Sequence, residues 1–168
     1  MEKKEGVVRI LALDQATRNS GWSVFDDLEL IDHGVFSTNL TNEIQRDHTI
    51  KEWLISMIKK YQPDYVGIED LHYKEGGNTV LMSIDVFRML ARLQGILMDA
   101  CYECGVPCDV IHTSVWRATN KVTGRTRDDK KRSMQKIILQ QYGLQVSDDE
   151  ADAIGIGKHM AIIKKRDN

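Results

Sequence analysis

Two short apolar segments that each end in a carboxylate constrain the fold of this chain more than any other feature. Residues 7–13 are apolar except for one arginine and lead into Asp14, and residues 65–68 lead into Glu69. Short apolar runs bounded by polar residues predict buried strands. Since acidic side chains rarely pack in a core, we expect both carboxylates to project from the ends of neighbouring strands.

The order of the predicted elements indicates one α/β domain over residues 1–168. After a polar turn at 15–21, strands are predicted at 21–25 and 28–37, so the first three strands form an antiparallel meander. Later strands alternate with helices, which predicts a central mixed five-stranded sheet flanked by helices. These later elements are a helix at 43–61, a strand at 65–69, a helix from near Thr79 to about Cys104, a strand at 109–112, a short helix capped by Thr113 or Ser114, and helices at 128–142 and 148–164.

Two of the predicted helices carry broad apolar faces. The helix at 43–61, capped by Thr41 or Asn42, has one apolar stripe. On the helix from Thr79, apolar residues cover more than half of the circumference, so this helix needs a second surface besides the sheet. A second copy of the chain is one candidate for that surface. The stripe of the first helix consists of Ile44, Ile50, Trp53, Leu54, Met57 and Ile58.

A second pair of carboxylates, Asp149 and Asp152, lies on the last predicted helix. Residues three apart share one face of a helix, so both acids would point the same way. The helix begins with a capping box, Ser147 followed by Glu150. Residues 153–157 read Ala-Ile-Gly-Ile-Gly, and such small side chains permit close approach to the sheet at some loss of helix propensity. We therefore expect this helix to bring its acids to Asp14 and Glu69.

Four converging carboxylates would repel one another unless divalent cations lay between them, and Mg²⁺ prefers oxygen ligands. With no obvious nucleophilic Ser or Cys, the set predicts two-metal phosphodiester hydrolysis, with two Mg²⁺ in each active site and Mn²⁺ able to substitute. Taken singly, each acid also has a structural explanation: Asp14 as a turn former, Glu69 as a surface acid, and Asp149 as a partner of the helix dipole.

Charge is distributed unevenly along the chain. The net charge of −2 does not by itself indicate a nucleic-acid partner, but residues 117–136 hold eight basic side chains against two acidic ones. This segment predicts a phosphate-contacting surface, and a solvated loop and helix face is the alternative. Its basic residues are Arg117, Lys121, Arg125, Arg127, Lys130, Lys131, Arg132 and Lys136.

No apolar stretch approaches the roughly 20 residues that a membrane span requires. The N-terminal residues are charged and lack the apolar core of a signal peptide. We therefore expect a cytoplasmic protein without a membrane partner.

Three motifs follow one another in order along the chain. They are residues 11–14 (Leu-Ala-Leu-Asp) followed by 20–22 (Ser-Gly-Trp), residues 61–64 (Tyr-Gln-Pro-Asp) leading into Glu69, and residues 149–157. In this order they resemble the motifs of the RuvC Holliday junction resolvases. The resemblance covers nearly the whole chain. It implies a ribonuclease H-like fold and a homodimer that cuts four-way or other branched DNA by paired, symmetric, Mg²⁺-dependent incisions.

The resemblance also implies roles for particular residues. The family's four catalytic, metal-binding acids correspond to Asp14, Glu69, Asp149 and Asp152, although Asp148 precedes Asp149 and forms an alternative i, i+4 pair with Asp152. A catalytic basic residue corresponds to Lys131, with Lys130 adjacent. The implied DNA-binding residues are His72 and Tyr73, in place of the family's junction-probing aromatic residue, and Arg117, Lys121, Arg125, Arg127, Lys130, Lys131 and Arg132.

Three alternative functions can be compared with the sequence. Residues 14–20 faintly resemble the phosphate loop of actin-like and sugar-kinase ATPases, but the glycines that such a loop requires are missing. A non-catalytic module that binds branched DNA would not need four acids. An RNA-directed nuclease of the same fold stays open, because contacts to the 2′-hydroxyl decide between RNA and DNA.

Overall fold

The computed structural model describes residues 3–71 and 83–167. Within these ranges the chain forms five strands and five helices. In chain order they are β1 (Arg9–Asp14), β2 (Asn19–Asp26), β3 (Glu29–Ser37), α1 (Glu43–Tyr61), β4 (Tyr65–Glu69), α2 (Ile84–Glu103), β5 (Cys108–Ile111), α3 (Thr113–Thr119), α4 (Arg127–Tyr142) and α5 (Asp148–Asp167).

The five strands form one mixed sheet with the order β3-β2-β1-β4-β5. The first three strands are an antiparallel meander, and β4 and β5 add to β1 in parallel. Leu13 of β1 is in register with Ile68 of β4, so the next residues, Asp14 and Glu69, leave the same edge side by side. The predicted sheet, its meander and the adjacency of these two acids are confirmed.

Helices cover both faces of the sheet. Leu11 and Leu13 pack with α1 and α2 on one face, whereas Ile10 and Ala12 pack with α3, α4 and α5 on the other. A strand that is buried on both faces needs apolar residues at every position. This is why β1 reads in the sequence as a continuous apolar run.

Helix α5 lies very close to the sheet because it carries a glycine, Gly157, where it meets β2. A β-carbon on Gly157 would come within 2.6 Å of Ser23 Oγ and 2.8 Å of the Phe25 ring. The Ser23 hydroxyl also donates a 2.8 Å hydrogen bond to the carbonyl of Ala153. The prediction that small residues allow this helix to approach the sheet is confirmed.

Several predicted boundaries and caps are wrong. Helix α2 begins at Ile84 rather than near Thr79, because Ser83 is extended and its hydroxyl caps the helix by accepting from the Val86 amide. His112 caps α3 in place of Thr113 or Ser114, since its ring Nδ1 accepts from the Ser114 amide. The strand predicted at 109–112 therefore ends one residue earlier, at Ile111.

The apolar faces of α1 and α2 are only partly buried. Ile44, a member of the predicted apolar stripe of α1, is 74% exposed and lies in the first turn of the helix. The first half of α2 is likewise open, with Ile84 53% and Val86 40% exposed. Asn42 caps α1 as expected.

Among the described residues, no helix combines the length and the apolar character needed to cross a membrane.

Candidate active site

The side chain of Gln15 joins the ends of β1 and β4. Its Nε2 donates to the carbonyl of Glu69 at 2.6 Å, and its Oε1 accepts from the Glu69 amide at 3.1 Å. These two bonds extend the β1–β4 pairing beyond Leu13 and Ile68, with the Gln15 side chain taking the place of a strand backbone. Asp14 and Glu69 are thereby held next to each other at the sheet edge.

The first turn of α5 is anchored at the same edge. The capping box at its start is formed as predicted, with the Glu150 amide donating to Ser147 Oγ at 3.2 Å and the Ser147 amide donating to Glu150 Oε2 at 3.2 Å. His33 of β3 contacts Glu150 through Nδ1 at 3.1 Å. Gly21, the register partner of Asp14, lies directly under the Asp149 backbone.

The four predicted acids share one electrostatic environment. Burial raises the pKa of Asp14 well above its usual range, and the charges of Glu69, Asp152 and Asp149 raise it further. Burial also raises the pKa of Asp152 to about 7, with Glu69 adding to the shift and Arg117 opposing it. Ionising Asp14 or Asp152 is therefore costly unless a positive charge lies nearby.

The acids converge without closing into a ligand cage. Across residues 3–71 and 83–167, no group of three or more His, Cys, Asp or Glu side chains is arranged so as to hold a metal ion. The donor chemistry nevertheless suits a hard divalent cation, because all four groups are carboxylates. A cation that keeps several water ligands, as Mg²⁺ does, requires few direct protein contacts.

Asp148 and Asp149, the two acids considered for the third position, differ in their surroundings. Asp148 forms an ion pair with Lys131, and this hydrogen bond lowers the pKa of Asp148. The pKa of Asp149 is instead raised by burial and by the charge of Asp148, and Asp149 is one of the charges that act on Asp14. Asp148 therefore has a positively charged partner, whereas burial makes the ionised form of Asp149 costly without a nearby cation.

Some of the predicted basic residues reach the acids. Arg117 lies 3.7 Å from Asp152 Oδ2, and its guanidinium stacks 5.0 Å from the centre of the Trp116 ring. Arg127, at the start of α4, acts electrostatically on Asp149 and lowers its pKa.

The other predicted DNA-binding residues lie further out or beyond the described chain. Lys121, Arg125 and Arg132 are exposed and Lys130 is half-buried. Arg132 pairs with Asp129 at 3.0 Å within α4. His72 and Tyr73 lie outside the described residues.

Trp116 and Gln15 touch the site although the sequence did not single them out. The indole Nε1 of Trp116 donates to Glu69 Oε1 at 2.8 Å. Gln15 could have been recognised in the sequence, because it is a polar residue directly after Asp14, the acid that ends β1. No local pattern marks Trp116, because its partner lies 47 residues away.

Comparison with known proteins agrees with this architecture. The family model described as crossover junction endodeoxyribonuclease RuvC matches residues 10–159. A RuvC from Gloeobacter violaceus is 28% identical over 158 residues, covering 89% of this chain and 85% of the relative. A RuvC from Fusobacterium nucleatum is 27% identical, with 89% and 77% covered.

Solved structures share the fold. The structure of Thermus thermophilus RuvC aligns with a TM-score of 0.73 at 16% identity, covering 95% of this chain and 97% of that one. The same protein in complex with a Holliday junction substrate aligns with a TM-score of 0.71 at 15% identity, covering 95% and 96%. The yeast mitochondrial Holliday junction resolvase Ydc2 gives 0.59 at 14% identity, covering 92% and 78%. The predicted ribonuclease H-like fold is confirmed.

The family match runs from Ile10, the second residue of β1, to His159 in α5, and so includes all four acids. The chain therefore belongs to the RuvC family of crossover junction endodeoxyribonucleases, which are nucleases acting on DNA.

Proposed function

We propose that this chain is a structure-selective endodeoxyribonuclease that resolves four-way DNA junctions by Mg²⁺-dependent hydrolysis with paired, symmetric nicks. The observation that carries the proposal is the convergence of Glu69, Asp149 and Asp152 on Asp14 at one edge of the sheet. Membership of the RuvC family supports the choice of a branched DNA substrate.

Nucleases of the RuvC family are metal-dependent, and we propose two Mg²⁺ in each active site, with Mn²⁺ able to substitute. Asp14 and Glu69 from the sheet and Asp149 and Asp152 from α5 would hold them. When bound, such ions supply a hydroxide nucleophile and stabilise the leaving oxygen. Burial raises the pKa of Asp14 and Asp152, so a bound divalent cation would favour their ionised forms and displace their protons.

Two basic residues have distinct roles in the proposed site. We propose Lys131 as the catalytic basic residue; its ammonium pairs with Asp148, whereas the charge of Asp149 acts on Asp14. Arg117 lies close enough to Asp152 to act on its charge, and its guanidinium can also contact a phosphate at the scissile position. Both residues are held at the site by α3 and α4, which pack on α5.

The basic residues on and between α3 and α4 form the proposed DNA-binding surface, which consists of Arg117, Lys121, Arg125, Arg127, Lys130, Lys131 and Arg132. His72 and Tyr73 are proposed to probe the junction, since they follow Glu69 closely in the chain. Binding through phosphates releases counterions, so affinity for the junction is expected to fall steeply as salt rises.

Paired nicks require two active sites on one junction, and we propose a homodimer. The open apolar start of α2, including Ile84 and Val86, is the surface that supports this arrangement. Sedimentation is expected to give about twice the chain mass of 19.2 kDa. A monomer at concentrations where junctions are cut would rule out the dimer.

The decisive experiment compares a synthetic four-way junction with linear duplex, Y-fork and RNA–DNA hybrid in the presence of Mg²⁺. Paired nicks in the junction, and little cutting of the others, are expected. Asp152→Asn should bind the junction without cutting it, whereas Asp99→Asn, on the exposed side of α2, should cut normally. Equal cutting by Asp152→Asn would remove this residue from the site, and preferred cutting of the hybrid would indicate an RNA-directed nuclease.

A further inference from the structure

Trp116 is a fully buried side chain whose polar atom reaches an active-site carboxylate. The residue is 0% exposed, and its Nε1 donates to Glu69 Oε1 at 2.8 Å. A buried indole N–H needs an acceptor, and a backbone carbonyl would serve equally well for stability. Here the acceptor is instead a side-chain oxygen of Glu69, one of the acids that converge at the sheet edge.

The position of the indole ring is set by α5, the helix that carries Asp152. Gly155 makes room for the ring, because a β-carbon there would come within 2.9 Å of it. Asn120 then ties the two helices together, donating from Nδ2 to the carbonyl of Trp116 at 2.7 Å and to that of Gly155 at 2.9 Å. Through these contacts Glu69, on the sheet, is coupled to the helix that bears its partner acid.

We propose that Trp116 is a positioning residue for the metal site: its indole N–H holds Glu69 Oε1 and so directs the other carboxylate oxygen towards the cation. The inference rests on the proposed function only in assigning a divalent cation to the four acids. Groups that hydrogen-bond to a metal ligand fix its orientation, and their loss typically costs about 10–100-fold in metal affinity or activity. Trp116 therefore acts through Glu69 and touches neither DNA nor ion.

Trp116→Phe tests the proposal because it keeps an aromatic ring in place and removes the N–H. The Mg²⁺ concentration that gives half-maximal junction cutting is expected to rise about 10–100-fold. Junction affinity without metal should stay unchanged. Trp53→Phe is the matched control, since Trp53 stacks on Phe36 with ring centres 4.7 Å apart and belongs to the cluster on the opposite face of the sheet. An unchanged Mg²⁺ requirement in Trp116→Phe would overturn the proposal.

A second measurement follows the wild-type protein and does not depend on cutting. The chain has three tryptophans, so its indole ¹⁵N–¹H resonances can be assigned by replacing each in turn. Titration of the metal-free wild-type protein with Mg²⁺ should shift the Trp116 resonance and leave that of Trp53 in place. If the Trp116 resonance responds but no junction is cut, the junction function fails and the role of Trp116 stands. If junctions are cut and this resonance does not respond, the role of Trp116 is refuted.

Discussion

Gly21→Ala is expected to disable the active site through a single added methyl group. A β-carbon at this position would lie 1.9 Å from the carbonyl oxygen of Asp149 and 2.3 Å from its carbonyl carbon. Real β-carbons essentially never come closer than 3.0 Å to another heavy atom, so strand and helix must separate by about 1.1 Å. Both sides of the contact are backbone, and no side chain can rotate away to relieve it.

The consequence follows from where this contact lies. Gly21 is the register partner of Asp14, so a shift here moves the first turn of α5 away from the sheet acids. A misplacement of about 1 Å can cost about 100-fold in rate. Overpacking of this kind costs typically about 1–3 kcal/mol in the free energy of unfolding. We therefore expect a folded protein that binds junctions and cuts them about 100-fold more slowly.

Single-turnover cutting of a four-way junction at saturating Mg²⁺ measures the effect, and urea unfolding measures the stability. Gly95→Ala is the matched control, because nothing lies within 4 Å of a β-carbon at that position. It should cut at the wild-type rate and gain about 1 kcal/mol from helix propensity. Wild-type cutting and stability in Gly21→Ala would refute the view that close approach of α5 positions the acids.

The remaining predictions concern the acids and the residue that joins their strands. Burial raises the pKa of Asp14, and raises that of Asp152 to about 7 from an unperturbed 3.8, so the metal-free native state keeps protons that the unfolded chain has lost. The free energy of unfolding without metal, measured by urea titration, should fall as pH rises from about 4 to 7, and Mg²⁺ at pH 8 should restore it. A rise over that pH range would contradict the raised pKa of these two acids. In a nicking assay, Asp149→Asn should abolish junction cutting, whereas Asp148→Asn should keep most of it because Asp148 is already paired with Lys131. The reverse order of activities would make Asp148 the third acid. Gln15→Ala removes two hydrogen bonds, so it should lower the free energy of unfolding by about 1–3 kcal/mol and slow cutting. An unchanged urea midpoint would contradict this prediction.

The features that could be predicted from the sequence are those with local causes. Alternation between apolar runs and polar turns depends on neighbouring residues, and it predicted the five strands and their mixed pairing. The capping box at Ser147 was readable because its two hydrogen bonds join residues three apart. Caps that involve less typical residues, such as His112, were missed because a ring nitrogen at this position is a rare acceptor.

The sequence by itself determined that two of the acids end strands and that two others share one face of a helix, directly before a run of small residues. Only the tertiary structure decided how these acids are held, because each support joins residues far apart in the chain: Gln15 and Glu69 are 54 positions apart, Trp116 and Glu69 are 47, and His33 and Glu150 are 117. It also pairs Asp148 with Lys131, whereas burial raises the pKa of Asp149. Local periodicity specifies a strand or a helix, but contact between two elements depends on where the packed sheet and helices bring their ends together.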